Sequence, residues 1–551
     1  MAHPGKTRAR RQEIFTMEGH NKNGCATDPI SHSISETLPA PPGASSTGPN
    51  ELHSTNTTVP DEKTGDEEYS IFSRHEKVFF ISLTSFGMVV CMIATNVYFP
   101  VLPILEQEYR VSPTSINLTI TVFLIIQGIV PALMSTLSDF HGRRLAWILA
   151  LSLYIVANVG LALQKNYLTL ILLRCIQSVG SSCAIPFGFA FAADIASPEE
   201  RGRYIGPMHG SVMAAFAFGP AIGGSLASRL GWRSVFWFLV ISSGCFFALY
   251  LIFIPETART VVGNGSLAPQ DWWRRSVMQN CGCRQRSTMS KGFLRDQKQS
   301  SPQQRKESIA TTLLTVFGAF VILKHKEALI LIIYTSLLYF GISALWASTA
   351  NKFGELYGLS TMQIGLCFLP FGIAGGFGSI ISGRLVDLNY RRISRNLNAA
   401  GDLHPVGSDR SGDFPIEVAR LQVALPHMFM VAVSFVVYGW MVEKRLPLVA
   451  ALTWQALIGL CGNSLLGILY TLLIDLFPGQ AAAASGAADF VRCWLGALSA
   501  AVINDMLSDM GWGWCFTMIG LMLVITLPFI ALEYVYGMSW RQRREMTRAS
   551  A

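Results

Sequence analysis

Ser135-Thr136-Leu137-Ser138-Asp139-Phe140-His141-Gly142-Arg143-Arg144 returns 248 positions later as Gly383-Arg384-Leu385-Val386-Asp387-Leu388-Asn389-Tyr390-Arg391-Arg392. Both copies open on a small residue and keep a Leu, an Asp and two adjacent Arg at the same spacing. Both also close an apolar stretch near the ~20 residues that a helix needs to cross a bilayer. A cassette repeated at matching places implies that the membrane part of the chain is a duplicated half. Such repeats can rock against one another around a site at mid-membrane.

Composition supports that setting. The chain has 551 residues, of which 51% are apolar and 14% charged, and its mean hydropathy is +0.38. Soluble globular domains carry far more charge. Apolar runs of spanning length fall near 79–101, 115–137, 145–163, 168–190, 205–228 and 234–254, then near 328–350, 361–383, 424–442, 447–474, 480–504 and 511–536. The expected fold class is therefore an all-α polytopic membrane protein, with twelve transmembrane helices in two pseudo-symmetric six-helix halves. The expected division is a disordered tail (1–75), an N-terminal half (76–254), a central loop (255–327), a C-terminal half (328–538) with a polar loop at 384–423, and a short tail (539–551).

Charge placement orients these spans. With the N-terminus inside, tails and inner loops hold 34 of the 43 Lys and Arg, and outer loops hold 7. That asymmetry follows the positive-inside rule and puts both termini in the cytosol. It also accounts for the formal +8 charge without a nucleic-acid partner. The first 75 residues, rich in Ser, Thr, Pro and Gly, hold no apolar signal core, so the span beginning near Phe79 is read as the anchor. Eight of the eleven cysteines sit in apolar spans, where they act as small hydrophobes, and the Cys281-Gly-Cys283 pair lies in the central loop. Asn117-Leu118-Thr119 is an outer glycosylation sequon close to a span.

The expectation is a transporter and not an enzyme. No metal-ligand or nucleophile cluster lies at membrane depth, and no phosphate-binding loop supplies an ATP motor. No cofactor is expected; a proton gradient is the energy source that remains.

Two arginines, Arg174 and Arg492, fall inside apolar spans, where an ionised side chain costs several kcal/mol unless it faces a partner or a cavity. Arg174 shares a helical face with Gln177 and Ser181. It marks either a functional site or a brace between helices. Asp489 and Arg492, three residues apart, share a face of span eleven. They form either an internal ion pair or a protonation site at Asp489 tuned by Arg492. Asp194, Asp475 and Asp505, near span ends, are read as solvated. In span five, Gly219, Pro220, Gly223 and Gly224 combine a close-packing groove with a helix bend. Span eight is also glycine-dense.

These motifs together resemble the major facilitator superfamily, in its fungal twelve-span drug:proton antiporter branch. The first cassette is similar to that family's loop between spans two and three, and Leu173–Gly180 to its span-four arginine motif. Gly219-Pro220-x-x-Gly223-Gly224 is similar to its antiporter motif, and Pro255-Glu256-Thr257 to its end of span six. Tyr98–Pro103 and Ala487–Cys493 narrow the resemblance to the quinidine-resistance and organic-acid exporter cluster, whose members commonly carry asparagine near Asp489. The resemblance covers about residues 75–540.

It implies a proton-coupled exporter of a drug, organic acid or secondary metabolite, working by alternating access as a multi-pass monomer of the plasma membrane. Its partners would be the lipid bilayer, protons and a small-molecule substrate. Asp139, Gly142 and Arg143 would form the cytosolic gate, with Asp387 and Arg391 as the weaker second copy. Arg174 would serve proton coupling or anion binding. Gly219, Pro220, Gly223 and Gly224 would set the span-five bend and exclude leak. Asn96, Tyr98, Trp346 and Asn463 are candidate substrate contacts from their places in the helices. An importer or facilitator of the same fold, and a transporter-like sensor, are the alternatives.

Overall fold

The computed structural model describes residues 70–263, 272–280, 321–400, 414–477 and 480–549. The expected N-terminal tail up to residue 69, most of the central loop including Cys281-Gly-Cys283, and residues 401–413 lie outside the described residues. Everything described is helix, turn or short connection, with no strand among the described residues.

Among the described residues, eleven helical stretches are long and apolar enough to cross a membrane, one fewer than the sequence count. The difference lies in the last. Ala481–Ala549 is 69 residues long and interrupted only by Gly511, at φ 75 and ψ 171. At ~1.5 Å per residue it would reach about 100 Å if straight, against a hydrocarbon core of ~30 Å. Contacts show that it doubles back: Asp505 meets the start of span two through Thr114, whereas Arg544 has returned to Leu476 and Glu327. Gly511 therefore separates span eleven from span twelve, and twelve crossings result.

Several helices are longer than their apolar cores. Leu369–Ala400 and Ile416–Glu443 turn much of the expected loop 384–423 into helix. The chain past residue 538 is also helical, up to Ala549. These extensions are polar. Hydropathy marks only the part of a helix that lies in lipid, while backbone hydrogen bonding carries the helix on into water.

Proline sets three breaks. Span one runs Arg74–Asn96, then a 3-10 turn Phe99–Val101, then Leu102–Tyr109. Span four breaks between Ser181 and Ala184, and span eight between Leu366 and Leu369. Each break lies about four residues before a proline (Pro100, Pro186, Pro370). A proline ring clashes with the carbonyl four residues back and cannot donate to it.

The two halves meet along spans two and eleven and along spans five and eight. On the face away from the described chain ends, Ser70 and Ala549 (the far face, opposite the terminal face), this contact is tight. A side chain at Gly224 would sit 2.6 Å from the Thr361 carbonyl, and one at Gly365 would collide with the Pro220 carbonyl. Phe99 packs on Trp346 and Phe368 at 5.7 and 6.0 Å between ring centres. At mid-depth Gly372 abuts Ala217, and a Cβ at Gly128 would lie 3.1 Å from the Cβ of Cys493. Toward the terminal face the same helical faces part. Gly210 and Gly206 follow Ala217 along span five, Gly376 and Gly383 follow Gly372 along span eight, and Gly486 precedes Cys493 on span eleven. A Cβ at any of the five would meet no described atom within 4 Å. Among the described residues, the halves are thus sealed on the far face and apart on the terminal face.

Candidate functional site

The first cassette turns where the second does not. Span two ends at His141 and span three starts at Arg143, with Gly142 between them at φ 100. An L side chain rarely adopts that backbone, and a Cβ at Gly142 would run into the Glu256 carboxylate. That carboxylate caps the start of span three. One oxygen accepts from the backbone N–H of Arg143 at 2.8 Å, Thr257 at 3.0 Å and Ala258 at 2.9 Å; the other accepts from Arg144 N–H at 3.1 Å. Arg144 returns the favour, its guanidinium donating to the carbonyls of Tyr250, Leu251, Ile254 and Trp273. An anion at a helix N-terminus and a cation at a helix C-terminus each complement the helix dipole, so the ends of spans three and six cap one another.

Arg143 then points along the terminal face. It donates to Asp194 of span four at 3.1 Å and to Ser138 at 3.0 Å. Asp194, read from sequence as solvated, is therefore ion-paired and only 11% exposed. Asp475 is likewise paired, with Arg420 at 2.7 Å. The backbone of Asp139 lies in span two, and its side chain is outside the described set. In the second copy the helix runs straight through: Asp387 and Arg391 are exposed, and Asn389 bonds the Ala419 carbonyl at 2.8 Å.

Arg174 lies inside the N-terminal half, 1% exposed. Its guanidinium carbon sits 4.0 Å from the ring centre of Tyr98 and 4.4 Å from that of Phe123. It donates to Gln177 at 2.6 Å, and Gln177 donates to Asn158 at 2.7 Å. No carboxylate is among these partners, and the buried Nε has no hydrogen bond. Aromatic faces and an amide chain are the surroundings that hold this cation in place of a counter-ion. Tyr98 is itself fixed by Thr119 at 2.9 Å.

Across the interface, Arg492 donates to Asp489 at 3.0 Å. Tyr470 of span ten donates to the same carboxylate oxygen at 2.7 Å, and Arg492 lies 4.6 Å from the centre of the Tyr339 ring. The shared helical face inferred from spacing is thus an ion pair. It is also accessible: the Asp489 side chain is 40% exposed, against 21% for Arg492.

The four substrate-contact candidates separate. Asn96 is buried, bonded to Met92 and packed against Gly219. Tyr98 is buried under Arg174. Trp346 belongs to the far-face seal, packed by Phe99, Phe216 and Phe371, with its indole N–H unbonded. Asn463 is half-buried against Gly375 of span eight. In span five, Gly219 and Gly223 admit span one: Asn96 Cβ stands 2.8 Å from the Cβ position of Gly219, and Val97 O fills that of Gly223. Gly224 faces the other half. Asn158 and Tyr470 escaped sequence reading, and Asp194 was misread as solvated, because their partners lie 19 to 51 residues away in the chain. Glu256 was visible only within its Pro-Glu-Thr motif.

The profile of the Major Facilitator Superfamily matches residues 84–501. Citrate exporter 1 of Aspergillus niger is 31% identical over 527 residues, covering 94% of this chain and 98% of its own. Multidrug transporter QDR2 of Candida glabrata is 30% identical over 475 residues, covering 83% and 80%. Among solved structures, the xylose transporter XylE of E. coli in a partially occluded inward-open conformation aligns at TM-score 0.56 with 15% identity, over 84% of this chain and 98% of that one.

Proposed function

This chain belongs to the major facilitator superfamily, and from that premise we propose that it is a proton-driven exporter of a small organic molecule. It is a secondary transporter, not an enzyme. On this reading the terminal face is cytosolic, the far face is outside, the membrane is the plasma membrane, and the working unit is a monomer. The structure then corresponds to the cytosol-open state, in which cargo enters between the splayed halves. Relatives that carry citrate exporter and multidrug transporter names support outward transport.

One observation carries the coupling. Asp489 presents a carboxylate that is 40% exposed yet tied to Arg492 and Tyr470, on the helix that forms one wall of the interface. When the halves rock, a proton arriving from outside would neutralise Asp489. Arg492 would then lose its partner, and cargo and proton would compete for one place. Arg174, buried without a carboxylate, would fix the electrostatic setting of the N-terminal half, and the Asp139–Arg143 loop would close the cytosolic side.

The test uses vesicles holding the purified protein and a fluorescent drug as probe. Uptake into inside-out vesicles should accelerate when an acidic interior is imposed. Asp489→Asn should transport at a rate that no longer follows the gradient while melting like wild type. Wild-type flux indifferent to the gradient would end the antiport reading. A variant as gradient-sensitive as wild type would remove Asp489 from it.

A further inference from the structure

The side-chain hydrogen bonds described between the two halves gather at one place. Asn117 of span two donates to the Ala500 carbonyl of span eleven at 2.9 Å, and Thr121, one turn on, donates to Ala497 at 3.2 Å. Thr114 reaches Asp505 at 2.9 Å. Asn351 of span seven donates to Asn117 at 3.0 Å and to Asn504 of span eleven at 3.4 Å. All three asparagines are 7% exposed or less. Asn117 is the acceptor of the glycosylation sequon, and its burial and bonds leave no room for a glycan.

We propose that Asn117, Asn351 and Asn504 form a polar clasp that latches the far face in this state and opens in each transport cycle. The chemistry suits a contact that must be made and broken. Neutral amide bonds each contribute modestly, because water replaces them when the contact opens. The closed clasp is also imperfect: Asn351 Oδ1 and Asn504 Nδ2 are buried without partners. Opening would hydrate both atoms, which lowers the cost of leaving the closed state. A purely apolar seal would have no such relief, and a buried ion pair would add the desolvation cost of two charges to each closure. The neighbouring Phe99–Trp346 packing supplies closure, and the clasp sets register between spans two, seven and eleven.

The inference rests on the alternating-access reading, so the experiment separates the two. Spin labels at exposed Ser228 and Glu355 report the far face, and labels at exposed Arg203 and Arg391 report the terminal face. Distances are measured in nanodiscs for wild type, Asn117→Ala, Asn351→Ala and Gly224→Leu. The last is a wedge placed where Gly224 touches Thr361. Each asparagine variant should raise the far-open to far-closed ratio roughly fivefold, with a longer far-face distance and a shorter terminal-face distance appearing together. If Gly224→Leu produces that exchange and the asparagine variants match wild type, the clasp is not a latch. Far-face lengthening without terminal-face shortening in the asparagine variants would equally overturn it, as local loosening. If no variant, the wedge included, links the two faces, the alternating-access reading fails as well.

Discussion

Glu256→Gln isolates the contact that holds the first cassette in place. The carboxylate accepts four backbone N–H groups, three on one oxygen and one on the other. The best a glutamine can do is keep its carbonyl on Arg143, Thr257 and Ala258 and turn its NH2 toward the N–H of Arg144. One charge-assisted bond is then replaced by two donors facing each other, a loss of about 2 kcal/mol. Three remaining bonds fall from charged to neutral strength, at about 0.5 kcal/mol each, and the N-terminus of span three loses its anion, about 1 kcal/mol. The expected destabilisation is about 3–5 kcal/mol. Thermal unfolding of the detergent-purified protein reads it directly, with Glu355→Gln as the exposed control. Glu256→Gln should melt several degrees below wild type and the control should not. Because Arg143 would lose its fixed start, transport in vesicles should fall even at temperatures where the variant is folded. A Glu256→Gln protein that melts and transports like wild type would refute the reciprocal capping of spans three and six.

Two further predictions test separate parts of the site. Arg174→Lys keeps the charge but loses the planar group stacked between Tyr98 and Phe123; a desolvated cation–aromatic contact contributes about 2 kcal/mol, so drug flux should drop at least about tenfold, and wild-type flux would show that charge alone suffices. Asp139→Asn should reduce transport more than Asp387→Asn, because only the first cassette forms a capped turn; the reverse order, measured on matched amounts of protein in vesicles, would contradict the assignment of the gate to the first copy.

Much of the architecture was legible because a membrane imposes it on composition. Apolar length located the spans, and a repeated cassette gave the duplication. Spacing within one helix was equally readable: Arg174 with Gln177 and Asp489 with Arg492 were paired from a periodicity of 3.6, and both pairs are bonded. Helix ends were not readable in the same way. The polar stretch after Gly383 looks like loop because its residues favour water, yet it continues as helix to Ala400. The break at Gly511 falls on the first residue of the last expected span, 511–536, just past the expected connection at 505–510.

Long-range partners had no local signal. Asp194 and Asp475 looked solvated because each pairs with an arginine 51 or 55 residues away. Glu256 reaches back 113 residues to Arg143, and Asn117 meets Asn351 across 234. Nothing in the chain's order marks such encounters. By itself, then, the sequence determined a twelve-span duplicated membrane bundle, because hydrophobic length, charge asymmetry and helical periodicity are local properties that the bilayer reads residue by residue. Only the tertiary structure decided which cassette turns, which charges are paired and which face is sealed. Those depend on how helices distant in the chain pack, where a Cβ, a carbonyl or an amide either fits between two helices or holds them apart.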